Sequence, residues 1–287
     1  MLFTENINGW DSWSRVYDST TAFSQLAQAI FLKENLSVNE NIQNLTPGSN
    51  AVFRADKLVI KIFAPSESGY DTEADYQTEL AGMKFAMNTG ISVPQVIAFG
   101  EISDKYLFRY IIMKYVPADV SIEELLAFPP VKKNEFVKQL KKITTGLNKP
   151  FDNFPKRIDL KNNDMRVSRL KGLNPNLIND LNTYVGNLDF SEAVLVHGDI
   201  TRDNLLLSSD GSLTLIDFAD SLIAPKYYEL PAIIFELFLC DKELTKEFVE
   251  GSNKEDFLND LIKGTAVHLF CGFILKAYFK RFGMPID

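Results

Sequence analysis

The octet His197-Gly198-Asp199-Ile200-Thr201-Arg202-Asp203-Asn204 stands between two short apolar runs, Ala193-Val194-Leu195-Val196 and Leu205-Leu206-Leu207. Apolar runs of this length predict strands. Two aspartates, an arginine, an asparagine and one of only two histidines do not belong inside a buried strand, where unpaired polar groups are costly. The octet therefore reads as a loop between strands, kept for its chemistry. Downstream, Asn204-Leu205-Leu206-Leu207 and Leu213-Thr214-Leu215-Ile216-Asp217-Phe218 flank Asp210-Gly211, a dipeptide suited to a two-residue turn. A hairpin closed by that turn would set Asn204 opposite Asp217, and opposed residues have Cβ atoms about 4.5–5.5 Å apart. An amide oxygen and a carboxylate at the open end of a hairpin suit a hard cation such as Mg2+, which takes few protein oxygens beside water and substrate phosphates. Asp199, five residues before Asn204, is placed to accept a proton from a substrate hydroxyl.

Outside the octet, hydrophobic period divides the chain. A helix is predicted over 20–33, with Phe23, Leu26, Ala27 and Ile30 on one face. Strands follow at 51–54 and 58–63, then a helix over 73–88 ending near Gly90, then strands at 95–99 and 105–113. Beyond Pro117 the pattern is helical: a capping box at Ser121–Glu124, helices over 133–147 and 176–187, and after the hairpin helices over 228–240 and 255–281. The expectation is an α+β, two-lobed molecule. Residues 1–115 form a small antiparallel-sheet lobe with a helical N-terminal extension, and residues 116–287 form a larger, mainly helical lobe.

Composition excludes several classes. The chain has 287 residues, 46% of them hydrophobic, enough for a full core. Its net charge of −8 argues against nucleic acid as a partner. The longest uncharged apolar run, Gly264–Leu275, falls short of the roughly 20 residues that cross a bilayer. Cys240 and Cys271 lie in apolar surroundings without metal-site or disulfide spacing. A cytoplasmic protein with no membrane, nucleic-acid or protein partner is expected. Between 220 and 260, ten carboxylates face four lysines, either a solvated helix face or a wall for a cationic ligand.

His197-Gly198-Asp199, four residues, Asn204, and then Ile216-Asp217-Phe218 resemble the signature of the aminoglycoside phosphotransferase family, the small-molecule branch of the protein-kinase-like fold. The resemblance implies Asp199 as catalytic base and Asn204 with Asp217 as the Mg2+ pair. It also implies a lysine on the third strand, Lys61 in Val59-Ile60-Lys61-Ile62-Phe63, at the α- and β-phosphates of the nucleotide, with Glu79 of the next helix as its partner. Gly48-Ser49-Asn50 resembles the family's phosphate-covering loop, with donors from the backbone and the Ser49 hydroxyl, and Met113-Lys114-Tyr115-Val116 falls at the hinge that meets the base. The sequence departs from the family at Ile223-Ala224-Pro225 and at Tyr228-Glu229-Leu230-Pro231, where Glu229 replaces an aspartate as a structural acceptor. Gly198 replaces the arginine of regulated protein kinases, and 11 residues, 218–228, leave no room for a long peptide-docking loop. The resemblance thus implies transfer of the γ-phosphoryl group of ATP or GTP to a hydroxyl of a small acceptor, an aminoglycoside among the candidates. The alternatives are a metabolite kinase of homoserine, choline, methylthioribose or fructosamine type, and a catalytically silent nucleotide-binding module.

Overall fold

Alternation in Ala51-Val52-Phe53-Arg54-Ala55 buries every second side chain, whereas Leu58-Val59-Ile60-Lys61-Ile62 is apolar almost throughout and buried on both faces. That difference puts the first strand near an edge and the second at the centre of a sheet. The computed structural model describes all residues except 39–40, 46–47, 157 and 285–287. The chain starts with helices α1 (Trp10–Trp13) and α2 (Thr20–Lys33). Strands β1 (Gln43–Asn44), β2 (Ala51–Ala55) and β3 (Leu58–Ile62) follow, then helix α3 (Thr72–Asn88) and strands β4 (Val96–Ser103) and β5 (Leu107–Lys114). The sheet is antiparallel in the order β1-β2-β3-β5-β4.

The chain divides into two compact units, Met1–Gln77 with Pro94–Pro117, and Thr78–Val93 with Ala118–Asp287. The core of the first is aromatic: Phe3, Trp13, Phe23, Phe31, Phe53 and Phe108 are all buried on one side of the sheet's central strands. The leading segment is fastened to the β4–β5 turn. Leu2 and Phe3 N–H both donate to Asp104 Oδ2 at 2.8 Å, and Ile7 N–H donates to the Tyr106 hydroxyl at 2.8 Å.

In the second unit, α4 (Ile122–Leu126) starts on the capping box expected at Ser121, whose hydroxyl accepts from Glu124 N–H while the Glu124 carboxylate accepts from Ser121 N–H. Helices α5 (Pro130–Leu147), α6 (Asp164–Arg169) and α7 (Pro175–Gly186) lead to strand β6 (Ala193–Val196). Strands β7 (Leu205–Leu207) and β8 (Leu213–Leu215) form a hairpin, and β9 (Leu222–Pro225) pairs with β6. Helices α8 (Lys242–Val249), α9 (Lys254–Val267) and α10 (Cys271–Arg281) complete the chain.

Three expectations change. The β7–β8 loop is longer than two residues: Ser208 N–H donates to Ser212 O at 3.0 Å and Gly211 N–H to Ser208 O at 2.9 Å, and Leu205 pairs with Leu215. The register slips by one, so Asn204 O meets Ile216 N–H at 3.0 Å instead of Asn204 facing Asp217. The segment expected as a helix over 228–240 is a short 3-10 turn, Lys226–Glu229, followed by a π-helical stretch, Ala232–Leu237, closed by positive φ angles at Leu239 and Cys240. The helix expected over 255–281 is two helices bent by 117° at a break where His268 is extended, φ −61° and ψ 134°. No single helix among the described residues is long and apolar enough to cross a membrane.

Candidate active site

Apolar β6 carries the chain into the core, and Gly198 then turns it sharply. Its φ is +83°, and a Cβ there would lie 2.6 Å from the carbonyl oxygen of Asp220. Only glycine fits such an approach, so the residue that replaces the kinase arginine is required by the backbone. The octet is then fixed by hydrogen bonds on every side. The Asn204 side-chain NH2 donates to Asp199 Oδ2 at 2.7 Å and to Asp199 O at 3.0 Å. Thr201 N–H donates to Asp199 O at 2.9 Å. Two oxygens of the buried Glu229 accept the N–H groups of His197 and Gly198. Glu229 is thus the loop's structural acceptor, as the sequence suggested.

Both histidines brace this loop. His197 Nδ1 accepts from Asp199 N–H at 3.3 Å, so its Nε2 carries the proton and donates to Ile216 O at 3.0 Å. His268 Nδ1 accepts from Phe270 N–H at 3.1 Å, and its Nε2 donates to Gly198 O at 3.0 Å. Tyr228 stacks on the His268 ring with centroids 4.4 Å apart, and its hydroxyl accepts from Leu269 N–H at 3.0 Å. Burial pushes the His268 imidazole down to about 3, so the ring is neutral, as its two bonds require. Burial likewise pushes the Glu229 carboxyl up to about 7 against the opposing pull of its two N–H donors.

Asp217 stands at the end of the hairpin with left-handed backbone, φ 61° and ψ 72°, uncommon for a residue that is not glycine. Burial, then the charges of Asp220 and Asp217, push the Asp199 carboxyl up to about 8, against the Asn204 amide, which pulls it down. Asn204 thus touches Asp199, and Asp217 acts on Asp199 through its charge, without the facing register first expected. Among the described residues no three histidine, cysteine or carboxylate side chains form a metal site by themselves. The donor set still fits a hard dication shared with a phosphate ligand. Like-charged carboxylates crowd together, and Asn204, whose NH2 is held on Asp199, offers its amide oxygen.

Lys156, which the sequence did not single out, adds a cation. Its Nζ donates to Ala219 O at 2.9 Å and lies 3.8 Å from Asp220 Oδ1. Nothing in the pattern around Lys156 announces this, because the contact spans the chain from 156 to 219. His268 was equally illegible, its partner being 70 residues away.

The remaining sequence candidates sit as follows. Glu79, on α3, is buried in the second unit. In the first unit Lys61 is 4% exposed on the central strand β3, across from Val52 on one side and Ile111 on the other. Asn50 is buried with Oδ1 accepting from Ala64 N–H at 3.2 Å, and Ser49 O accepts from the Trp13 indole at 2.8 Å. Met113 and Lys114 end β5, and Tyr115 N–H donates to Lys57 O at 2.9 Å, just before Val116. In the acidic stretch 220–260 several carboxylates are taken up by partners within the protein. Asp241 caps α8 and, with Glu243, holds buried Lys133, while Asp260 pairs with Lys263.

The model of the phosphotransferase enzyme family, APH, matches residues 45–256. No curated protein matches the chain. Among solved structures, the GDP complex of wild-type aminoglycoside 2'-phosphotransferase-IIIa is 16% identical, with a TM-score of 0.64 and 91% of each chain covered. An amicoumacin kinase in complex with AMP-PNP, Ca2+ and Ami is 13% identical, with a TM-score of 0.63, 88% of this chain and 86% of the other covered. A choline/ethanolamine kinase family protein from Mesorhizobium loti is 16% identical, with a TM-score of 0.58, 91% of this chain and 89% of the other covered. At such identities the likeness is one of fold, and the fold is protein-kinase-like. With the family match spanning well over half of its length, the chain belongs to the phosphotransferase enzyme family.

Proposed function

We propose that the chain transfers the γ-phosphoryl group of ATP or GTP to a hydroxyl of a small acceptor. The observation that supports this reading is the hydrogen bond of Asn204 to Asp199 on one glycine-turned loop, with Asp217 at the hairpin end acting on Asp199 through its charge. Asp199 orients the acceptor hydroxyl and takes its proton as the new P–O bond forms, and the bond to the departing nucleoside diphosphate breaks. Asn204 holds the Asp199 carboxylate in place and, with Asp217, supplies the oxygens for Mg2+. A bound dication neutralises phosphate charge and lets crowded carboxylates stay ionised. In the first unit, Lys61 and the Ser49–Asn50 loop serve the phosphates and Met113–Val116 the base; Glu79 is proposed to serve nucleotide binding as well. Residues 1–115 are proposed as the nucleotide lobe, and residues 116–287 as the lobe that holds the base and the acceptor.

Support for a small acceptor comes from the short link after Asp217 and from related folds described with kanamycin, streptomycin or Ami. An aminoglycoside is the first acceptor to try and a choline-type metabolite the second, since a choline/ethanolamine kinase family protein shares the fold. The test is nucleotide consumption by the full chain with Mg2+, ATP and GTP in parallel, across aminoglycoside and metabolite alcohols. Asp199→Asn should fold and lose turnover by at least about 100-fold. Full turnover in that variant would remove the base assignment. A chain whose melting temperature rises with Mg-nucleotide, yet which consumes none with any acceptor, would instead be a silent nucleotide-binding module.

A further inference from the structure

The first 40 residues lie outside the stretch that matches the family, yet they reach the loop proposed to cover the phosphates. Trp13 is fully buried, and its Nε1–H donates to the carbonyl oxygen of Ser49 at 2.8 Å. A buried indole N–H requires an acceptor, and here it takes one from that loop. In a planar trans peptide the C=O and the following N–H point in opposite directions. Anchoring Ser49 O on Trp13 therefore turns the Asn50 N–H away from the indole. Backbone N–H groups set in this way make the concave anion sites of phosphate loops. On its other flank the loop is tied to the end of the central strand by Asn50 Oδ1, which accepts from Ala64 N–H.

Trp13 is itself held firmly. Gly9 N–H, at the start of α1, donates to Glu67 O at 2.8 Å, and the Trp10 ring packs on Tyr70 with centroids 4.8 Å apart. The Trp13 ring meets Phe23 edge-on at 5.7 Å, and Phe23 in turn lies 5.0 Å from Phe3, whose N–H is fastened to Asp104. A continuous path of packed rings and hydrogen bonds thus runs from the N-terminus to Ser49.

We propose that the N-terminal segment is a clamp on the phosphate loop, with Trp13 the positioning residue that sets the Ser49–Asn50 peptide for nucleotide binding. The proposal rests on the kinase reading of the site. Holding the loop beforehand spares the ordering cost that the nucleotide would otherwise meet on binding. Trp13→Phe keeps an aromatic ring in the core and removes the donor to Ser49. In the full chain it should weaken calorimetric binding of Mg-ATP or Mg-GTP, whichever the wild type takes, by about five-fold, the effect of one net hydrogen bond. The nucleotide KM should rise with it while the acceptor KM stays put. Phe108→Leu, which disturbs the same cluster through Phe3 and Tyr106, should lower the melting temperature without changing nucleotide affinity. Wild-type affinity in Trp13→Phe would overturn the clamp.

If Trp13→Phe does not fold, Trp10→Phe leaves Trp13 as the lone indole of the chain. Its emission should change as Mg-nucleotide saturates the protein, and constant emission at calorimetric saturation would overturn the clamp equally. A wild-type chain that binds neither nucleotide would fail the kinase reading itself, and the clamp would fall with it.

Discussion

A lysine that no motif marks holds the segment after Asp217. Lys156 Nζ binds the Ala219 carbonyl and faces Asp220, and Asp220 exerts the largest of the charge effects on Asp199, behind burial alone. Removing it leaves an uncovered carbonyl and one cation fewer among four carboxylates, Asp199, Asp217, Asp220 and Glu229. Lys156→Met should therefore lower kcat by about ten-fold with little effect on melting temperature, a cost typical of one charge-assisted hydrogen bond. Lys156→Arg should recover part of the loss, which separates a charge effect from loss of packing. Steady-state rates at saturating nucleotide and acceptor would measure both.

Elements defined by local period were legible, and those defined by distant contacts were not. Helix α2 runs over Thr20–Lys33 as its apolar stripe required, and the strands read at 51–54 and 58–63 pair as β2 and β3. The hairpin that carries Asp217 was read correctly as a hairpin but one residue out of register, because Ser208–Ser212 closes it rather than Asp210-Gly211 alone. The break between α9 and α10 was invisible since its cause is tertiary. His268 leaves the helix to reach Gly198 O, and α10 then packs its Gly272 against the backbone of α6. A Cβ at Gly272 would lie 1.9 Å from Arg169 O, a backbone atom that cannot swing aside. Gly272→Ala should push α10 off α6 and destabilise the fold by about 3 kcal/mol or more, measured as a drop in the urea midpoint. The loop and the hairpin end that carry Asp199, Asn204 and Asp217 were legible in sequence, since their spacing is local. Lys156 and His268, which support them, were not.

For the molecule as a whole, buried titrating groups set opposite pH trends, His268 one way and Glu229 and Asp199 the other. His268 has its folded pKa depressed to about 3, so its contribution to stability is present above 6.5 and fades as pH falls toward 3. Glu229 has its folded pKa raised to about 7, so its contribution is complete below 4.5 and is lost as pH rises through 7. Between pH 4.5 and 6.5 the two slopes oppose, each about 1.4 kcal/mol per pH unit at most. Asp199, its folded pKa raised from 3.8 to about 8, adds a second falling slope, so stability should decline as pH rises across that window. His268→Gln, which can keep one donor and one acceptor without titrating, should remove the one rising slope, so that urea midpoints fall more steeply from pH 4.5 to 6.5 than in the wild type. A variant slope no steeper than the wild type's would contradict the assignment. Both imidazoles of the chain have each ring nitrogen engaged, Nδ1 by an amide two residues on and Nε2 by a distant carbonyl. An acylating electrophile that attacks free imidazole lone pairs thus finds none in the native fold, and its uptake would register only those excursions in which the loop from His197 to Asn204 comes apart.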